Sequence, residues 1–468
     1  MKKLARNKSS AFIRGIFAVV TLVVLWITMA PFCAEAALQG SAGNTIIRNT
    51  VTVNYKDNNG NAQAAVLSTI DLTVTTVAAA PTVLSITPSP GSTDGTGATQ
   101  VYTVRVRTNS NGPGSITIGG ADGSFINIAA GAAPTVSVSP IFLGSTVFDP
   151  SNFPGMGAQN IAINATITIA IPNDGGVPTD STTTGGAIGS GGVNALVVND
   201  IVYISDGTNY YGPLQVTAVA DNAIGAGNTA APDSVTLKNI SAGALAFTPA
   251  YGWEILEAKD VTVTVTQGAV TNPALAANWV TTVTATMGGL SGTNTVTTNA
   301  HASQLTIQKY VRNVTTPVVG GGLTLVNPPI NNTVTYYQTG VSGKPGDTLE
   351  YAVKITDTGT GNAGSVIATD PIPTYSTLIS SSGVYGANNT GGATGTFAQV
   401  YSSRTGTTGS LKIDNSGGLL NVGYGKAVPG QAAGSIMTFY LGIGSTTAAG
   451  GTVNSAETDY VIYQTKID

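Results

Sequence analysis

An alternation of apolar and polar residues between Lys344 and Asp357 constrains the fold of this chain more than any other feature. The pair Pro345-Gly346 favours a turn, and the run after it has an apolar residue at every second position: Leu349, Tyr351, Val353 and Ile355. The positions between them hold Glu350, Ala352, Lys354 and Thr356. Because successive side chains of a β-strand point to opposite faces, this period of two predicts a strand with one buried face.

A second strand follows a glycine-rich turn and ends in Asp370-Pro371-Ile372-Pro373. This order of a Pro-Gly-Asp turn, a strand and an Asp-Pro-Ile-Pro segment resembles the tandem immunoglobulin-like repeat of bacterial surface proteins, a conserved domain of unknown function. The resemblance is strong from about residue 305 to the C-terminus, moderate over residues 42–115 and poor between them. It implies a secreted array of β-sandwiches and does not imply a reaction.

Internal repetition indicates more than one such unit. The segment Tyr102–Arg107 repeats the alternation of Tyr351–Thr356, and a glycine-containing turn follows each of them. The segment Ile47–Val53 can be aligned with Val453–Thr458, and a weaker third copy lies at Thr293–Asn299. The first pair of segments resembles the start of a repeat, and the two or three aligned segments resemble its end. This repetition predicts at least two sandwich units.

Composition agrees with a β-rich extracellular scaffold. Only 9% of the residues are charged, whereas glycine occurs 59 times. This composition favours strands and tight turns and offers little material for long amphipathic helices. The predicted fold is therefore all-β, with tandem immunoglobulin-like β-sandwiches and a small β-rich insertion.

The first 36 residues have the features of a secretory signal peptide. Five basic residues precede an apolar run from Gly15 to Met29, and Ala34-Glu35-Ala36 offers a cleavage site. An uncleaved anchor is the alternative. Cleavage would remove Cys33, which is the only cysteine, and leave 14 basic and 22 acidic residues, a net charge of −8. A secreted or cell-surface chain with this charge and no membrane span is not expected to bind nucleic acid.

The pattern along the chain predicts five regions. They are a signal peptide (1–36), a β-hairpin region (37–80), a sandwich (81–172 plus 258–304), a linker with a small β insertion (173–257), and a C-terminal immunoglobulin-like repeat domain (305–468). Within the insertion, residues 200–207, 214–219 and 234–237 read as short strands of a barrel-like or hairpin module.

The N-terminal hairpin has two interpretations. Strands at 50–55 and 67–77 flank Asn59-Gly60, a strong hairpin turn signal. A lone two-stranded hairpin is marginal in water, and its open edges invite pairing. The hairpin therefore either packs on residues 81–172 or donates strands to another subunit, which would make the protein a component of a filament or array.

Aromatic residues are the candidate binding residues. Five of them concentrate in and near the insertion: Tyr203, Tyr210, Tyr211, Tyr251 and Trp253. Exposed on one side, they would stack on sugar rings or anchor another protein. The alternative is that they form the core of the small module.

The sequence offers little catalytic material, so we expect no enzyme. A serine triad or histidine-rich metal site would depend on His301, the only histidine. Glu254 and Glu257 lie near Trp253 and are the candidate carboxylate pair for glycoside hydrolysis. A spacing of three places two side chains on one face of a helix, however, and this segment reads as strand and turn. The loop Asp57–Asn61 has oxygen ligands for calcium yet lacks a distal bidentate acid, so a turn is the preferred interpretation and no cofactor is assigned.

Two functions remain open at this point. The first is a non-enzymatic secreted or cell-surface structural or adhesion protein that assembles through exposed strand edges. Its partners would be other copies of itself or other surface proteins. The second is a carbohydrate- or cell-binding protein that uses the aromatic-rich insertion to recognise glycans.

Overall fold

A computed structural model describes residues 42–43, 45–152, 156–173, 194–222, 232–329, 333–379, 398–403, 407–411, 423–426, 433–434, 436–445 and 449–468. The described residues form strands and a single 3-10 turn, which confirms the predicted all-β fold. None of these residues belongs to a helix long and apolar enough to cross a membrane. The predicted signal peptide, the linker at 174–193 and the loop at 383–395 lie outside the described residues.

The strands of the first 150 residues are β1 (Ile46–Val53), β2 (Val66–Thr73), β3 (Thr82–Thr87), β4 (Gly91–Asp94), β5 (Thr99–Arg107), β6 (Gly114–Ile126), β7 (Thr135–Val136), β8 (Ile141–Leu143) and β9 (Ser145–Val147). After the 3-10 turn (Pro150–Asn152) come β10 (Gln159–Ile161), β11 (Thr166–Ile171), β12 (Ile201–Ser205), β13 (Tyr210–Ala220), β14 (Asp233–Asn239) and β15 (Leu245–Phe247).

Three long strands follow: β16 (Glu254–Thr266), β17 (Ala277–Met287) and β18 (Leu290–His301). The C-terminal strands are β19 (Leu305–Asn313), β20 (Gly321–Val326), β21 (Thr335–Thr339), β22 (Thr348–Asp357), β23 (Ile367–Pro371), β24 (Ser376–Leu378), β25 (Ala398–Ser402), β26 (Thr407–Leu411), β27 (Gly423–Lys426), β28 (Ile436–Leu441) and β29 (Thr458–Ile467).

The first sandwich packs β3, β5 and the second half of β16 against the sheet β4-β18-β17-β6-β8. Strand β17 alternates buried and half-buried residues along its whole length, as a strand with one core-facing side must. Its Trp279 lies in the same core as Tyr102, Val104 and Val106 of β5. The segment Tyr102–Arg107, identified from its repeat pattern, is therefore a core strand.

The insertion builds a second core from the strand order β11-β14-β13-β12-β16, with β10 and β15 paired beside it. The three predicted short strands are confirmed as β12, β13 and β14. Phe148 and residues 161–171 also pack into this core, although the sequence pattern assigned them to the first sandwich. The reason is that β11 pairs with β14 along six residues.

Strand β16 belongs to both cores. Its residue Ile255 packs inside the insertion, whereas Val261, Val263 and Val265 pack inside the first sandwich. The strand pairs with β12 up to Ala258 and with β5 from that same residue onward. The predicted boundary between residues 257 and 258 thus falls within one continuous strand.

The C-terminal domain packs the three-stranded sheet β23-β28-β27 on the sheet β20-β21-β19-β22-β29-β25-β26. Val353 and Ile355 of β22 face the core between these sheets, as the alternation predicts, and so do Met437, Phe439 and Leu441 of β28. The expectation of a single buried face on β22 is wrong. Glu350 and Ala352 are fully buried as well, because the hairpin β20–β21 covers the other side of the sheet.

The buried carboxylate of Glu350 accepts hydrogen bonds from three side chains. It accepts hydrogen bonds from Nε of Arg312 (2.8 Å), the hydroxyl of Tyr336 (2.5 Å) and Nε2 of Gln464 (2.7 Å). Burial and the nearby carboxylate raise the pKa of Tyr336 far above its usual value, so its hydroxyl remains a donor. A buried charge with this many partners locks the hairpin onto the sheet.

The residues of the Pro-Gly-Asp and Asp-Pro motifs have structural roles. Gly346 adopts a φ of 91°, which favours glycine, and Asp347 accepts a hydrogen bond from Nδ2 of Asn313 at 2.8 Å. Asp370 accepts from Nζ of Lys309 and from the hydroxyl of Tyr463, both at 2.6 Å. These contacts fix the turn before β22 and hold β23 over the opposing sheet.

The three aligned repeat endings occupy different places in the fold. Ile47–Val53 lies within β1 and Thr293–Asn299 within β18. In contrast, Val453 makes an isolated bridge with Ala363, and β29 begins only at Thr458. The segments share a residue pattern but not a position relative to their strands.

Candidate functional site

The most unusual surface of the molecule is the two-stranded ribbon formed by β1 and β2. Its strands pair antiparallel over eight residues each, from Ile46↔Thr73 to Val53↔Val66, without a register shift. Neither strand pairs with any other strand of the described residues. At about 3.3 Å per residue, the ribbon is roughly 26 Å long.

One face of the ribbon is apolar. Directly opposed residues in an antiparallel pair share a face, so the register places six apolar side chains together. Each is between 48 and 71% exposed: Ile47, Val51, Val53, Val66, Ile70 and Leu72. Asn49 and Ser68 are the other members of this face, and neither is charged. The apolar face is thus continuous, free of charge and open to solvent.

The opposite face of the ribbon is mostly polar. Thr50 and Thr69 lie across from each other and share a hydrogen bond between their hydroxyl oxygens at 3.1 Å. Thr52 and Thr73 lie on the same face, where the register places Ile46 and Leu67 as the two apolar exceptions. The ribbon is therefore amphipathic, as a strand pair is when one face is meant to be covered.

The tip of the ribbon is a turn rather than a prepared ion site. The amide of Gly60 donates to the carbonyl of Asp57 at 2.9 Å, so Asn58 and Asn59 are the central residues instead of Asn59-Gly60. Gly60 follows with a φ of 85°, the pattern of a turn with a glycine bulge. Oδ1 of Asp57 accepts the amides of Asn59 and Asn61, and these bonds lower its pKa.

Within the described part of the chain, the ribbon is held at its base. The carbonyl of Asn111 accepts the amide of Gly43 at 2.9 Å, and its side-chain oxygen accepts the amide of Val77 at 2.6 Å. The hydroxyl of Thr76 donates to the carbonyl of Pro113. Of the two sequence interpretations, packing on residues 81–172 is represented among the described residues by this anchor at the loop 109–113.

The structure divides the five aromatic candidates into three groups. Trp253 is 8% exposed and stacks on half-buried Tyr211, with ring centroids 5.5 Å apart and planes at 9°. Both rings contact Phe247 in the core of the insertion. For these two residues the core interpretation fits the contacts, because their faces are covered by other rings.

Tyr210 and Tyr203 belong to a different cluster, around Arg107. The guanidinium of Arg107 lies 3.4 Å from the centroid of the Tyr210 ring and 5.6 Å from that of Tyr203. Arg107 is 3% exposed, and burial lowers its pKa. Tyr251 is 59% exposed. The five aromatic side chains therefore do not share one open face.

The two glutamates are also separated. Glu254 and Glu257 lie three positions apart on the extended strand β16, so their side chains leave on opposite faces. Burial raises the pKa of Glu254 to about 7, against the opposing effect of the Arg107 charge. Burial and the charge of Asp200 raise the pKa of Glu257, whose Oε2 accepts the Gly144 amide at 2.5 Å. Opposite faces do not bring two carboxylates to one glycosidic bond.

His301 is the last residue of β18 and lies where the first sandwich meets the C-terminal domain. Its Nδ1 is 3.2 Å from the carbonyl oxygen of Thr360. Beside it, the amide of Gly361 donates to the carbonyl of Ala302, and the amide of Asn362 donates to the carboxylate of Asp94. The histidine is part of a domain junction.

Sequence reasoning identified the hairpin but not its amphipathic face. The alternation of apolar residues in residues 47–53 and 66–72 was available as a signal. The buried group around Glu350 gave no comparable signal, because Arg312, Tyr336 and Gln464 come from three separate strands. Among the described residues, no group of three or more metal-binding side chains is present.

Comparison with known proteins adds little to this geometry. No protein-family model matches the chain, and no curated protein matches it. Among solved structures it is similar to a putative membrane anchored protein from Corynebacterium diphtheriae, at 11% sequence identity and a TM-score of 0.14. The match covers 78% of this chain and 88% of that one. At so low a TM-score, the likeness supports no inference about fold or function.

Proposed function

We propose that this chain is a non-enzymatic structural or adhesion protein, secreted or held at the cell surface, that assembles through the β1–β2 ribbon. The single observation that carries the proposal is the charge-free apolar face of the ribbon, which is exposed along its full length. The basic and apolar N-terminal leader supports export, and the two sandwich cores support a scaffold.

The expected free energies of burial and association favour strand pairing over simple contact between apolar faces. Covering six half-exposed aliphatic side chains contributes roughly 6 kcal/mol, at about 1 kcal/mol each. Association costs an estimated 4–15 kcal/mol or more, so this burial alone leaves little net affinity. Additional stabilisation is available from the outer edges of β1 and β2, whose backbone groups pair with no strand of the described residues.

The test compares charged substitutions on the two faces of the ribbon. The chain from residue 37 onward is purified as the unchanged protein, as Ile70→Asp on the apolar face and as Thr52→Asp on the polar face. Light scattering and negative-stain microscopy then measure assembly over a range of protein concentrations. We expect the unchanged protein and Thr52→Asp to form extended assemblies and Ile70→Asp to remain monomeric with an unchanged melting temperature.

Two outcomes would count against the proposal. If Ile70→Asp assembled as well as the unchanged protein, the apolar face would have no part in association. If the unchanged protein remained monomeric at every concentration while an isolated surface glycan bound near Tyr251 or Tyr210, the carbohydrate-binding alternative would take its place.

A further inference from the structure

The smaller sheet of the C-terminal domain has an open edge among the described residues. Its three-stranded sheet ends at β23, which pairs with β28 and with no other strand of the described residues. Two contacts of Asp370, with Lys309 and with Tyr463, place β23 over the sheet that contains β19, β22 and β29. The core beneath β23 is covered, and no strand of the described residues lies beyond β23.

The surface beside β23 carries two exposed apolar side chains next to Lys309, whose ammonium group is paired with Asp370. Ile307 of β19 lies directly opposite Ile355 of β22, so both side chains are on the core-facing side of the sheet. Ile355 is 3% exposed beneath the three-stranded sheet, whereas Ile307 is 64% exposed just past its edge. Leu305, two residues before Ile307 on the same face, is 43% exposed. One more strand beside β23 would cover both.

Backbone groups at this place are also open. Among the described residues, the edge of β19 that faces away from β22 pairs with β21 only at Val311↔Tyr337. Both walls of the recess, β23 above and residues 305–310 of β19 below, therefore present unpaired strand edges. We call this recess the β19/β23 groove. Open edges lined by apolar side chains accept added strands.

We propose that the β19/β23 groove of one copy receives the β1–β2 ribbon of a second copy. This inference rests on the proposed function and names its acceptor. The ribbon extends the three-stranded sheet beside β23, and its apolar face covers Leu305 and Ile307. No charged group of that face enters the core, because its two polar residues are Asn49 and Ser68.

The ribbon is slightly longer than the groove. Each ribbon strand has eight residues, whereas the groove offers six residues of β19 (305–310) and the five of β23, so the ribbon fills the groove and extends beyond it. Stacked sheets lie about 10 Å apart, which is the separation that side chains from both layers fill. The β-addition thus supplies both a ladder of backbone hydrogen bonds and a covered apolar layer.

The positions of the ribbon and the groove indicate that the ribbon bound in a groove comes from a second copy of the chain. The ribbon is anchored at Asn111, beyond the end of β5 at Arg107. The C-terminal domain joins the opposite end of β5, where Gln267 contacts both Gly97 and His301. Nine residues of β5, about 30 Å, separate these ends. Two different patches at opposite ends form a head-to-tail contact, which propagates into a filament when it does not close.

The first test blocks the groove without touching the ribbon. Ile307→Lys places a charge on the groove floor, and Leu323→Lys places the same charge on an exposed residue of β20 in the same domain. We expect Ile307→Lys to raise the concentration needed for assembly by at least about tenfold and Leu323→Lys to leave it unchanged. Both variants should melt at the temperature of the unchanged protein.

This result separates the two proposals. If Ile70→Asp abolishes assembly and Ile307→Lys does not, the ribbon assembles but the β19/β23 groove is not its acceptor. If Ile70→Asp has no effect, the proposed function itself is wrong. A melting temperature lowered by Ile307→Lys would be resolved by the cross-linking test, which leaves the groove floor intact.

The second test is a disulfide between two chains that both begin at residue 37 and therefore contain no native cysteine. One chain carries Thr50→Cys or Thr69→Cys on the outward ribbon face, and the other carries Thr369→Cys on the outward face of β23. Neighbouring strands bring such positions within the Cα separation that a disulfide needs. We expect a mixed dimer with Thr369→Cys and none with Thr324→Cys on β20. Equal yields at both sites, or links between two ribbons only, would overturn the proposed acceptor.

Discussion

Two hairpins of this protein have similar local construction and opposite surroundings. Among the described residues, the ribbon β1–β2 exposes six apolar side chains on one face and is anchored at its base. The hairpin β20–β21 lies on the C-terminal sheet, where Tyr336 is fully buried beside Ala352 and Ile462. The difference does not arise from strand pairing within each hairpin, because both are antiparallel pairs.

The comparison shows that a hairpin's role depends on what covers its faces. The covered hairpin brings a hydroxyl to a buried carboxylate and closes one side of a domain. The uncovered ribbon brings six aliphatic side chains to no partner within the described residues. A hairpin of the first kind contributes to stability, whereas one of the second kind leaves its apolar face exposed.

The largest expected effect is on the covered hairpin. Tyr336→Ala should lower the free energy of unfolding by about 3–5 kcal/mol, because it opens a cavity and removes a donor from Glu350. Tyr336→Phe keeps the ring and should cost about 1–3 kcal/mol. Urea denaturation followed by circular dichroism measures both. A loss below about 1 kcal/mol for Tyr336→Ala would show that the two hairpins are less different than their burial indicates.

The pH dependence of stability should come from covered strands and not from the ribbon. Burial raises the pKa of Glu254 on β16 to about 7, so the folded state binds a proton that the unfolded state releases near pH 4.5. The contribution of Glu254 to the free energy of unfolding is therefore fully present below about pH 4.5. It decreases by up to roughly 3 kcal/mol as the pH rises to about 7. Arg107, the neighbouring charge, opposes this loss.

The matched variants for this prediction are Glu254→Gln and Asp57→Asn. Melting temperatures between pH 4 and pH 8 should show a shallower decline for Glu254→Gln, with a residual slope from Glu257, whose pKa is also raised. The pKa of exposed Asp57 at the ribbon tip is lowered, so its substitution should leave the slope above pH 5 unchanged. A steeper decline in Glu254→Gln would contradict the assignment.

A smaller effect is expected at the ribbon's anchor. Asn111→Ala removes the acceptor of the Val77 amide and should weaken this attachment by about 1 kcal/mol, or about fivefold in the local opening equilibrium. Hydrogen exchange should accelerate at Val77 while amides of β17 keep their protection. Unchanged exchange at Val77 would mean that the ribbon is held elsewhere.

The smallest effect is expected on the ribbon itself. Ile70→Ala should change the unfolding free energy of the dilute monomer by less than about 0.5 kcal/mol, because Ile70 is 71% exposed. The matched core variant Ile118→Ala should cost about 2–5 kcal/mol. A large loss for Ile70→Ala in the monomer would show that its side chain is covered within its own chain.

Local patterns predicted individual strands well. The alternation in residues 349–355 placed β22 correctly and identified Val353 and Ile355 as core residues. It failed for Glu350, because the covering hairpin lies more than ten residues earlier in the chain and leaves no mark on the alternation of β22. Pairing between distant strands decides which polar residues are buried, and a period of two does not contain that information.

The candidate site was predictable in part. Asn59-Gly60 located the hairpin, although the structure moves the turn one residue earlier. The aromatic cluster was less informative, since Trp253 and Tyr211 pack with Phe247 while Tyr210 faces Arg107. Tyr210 and Tyr211 are adjacent on β13 and therefore leave it on opposite faces, so the density of aromatic residues along the chain does not indicate a shared surface.

The double membership of β16 limits how this protein can be divided. A domain boundary placed after Glu257 would divide β16, which pairs with β12 of the insertion and with β5 of the first sandwich. The insertion is therefore not a removable cassette. Tension applied along the chain would load both cores through the same backbone, so they should rupture together and not in sequence.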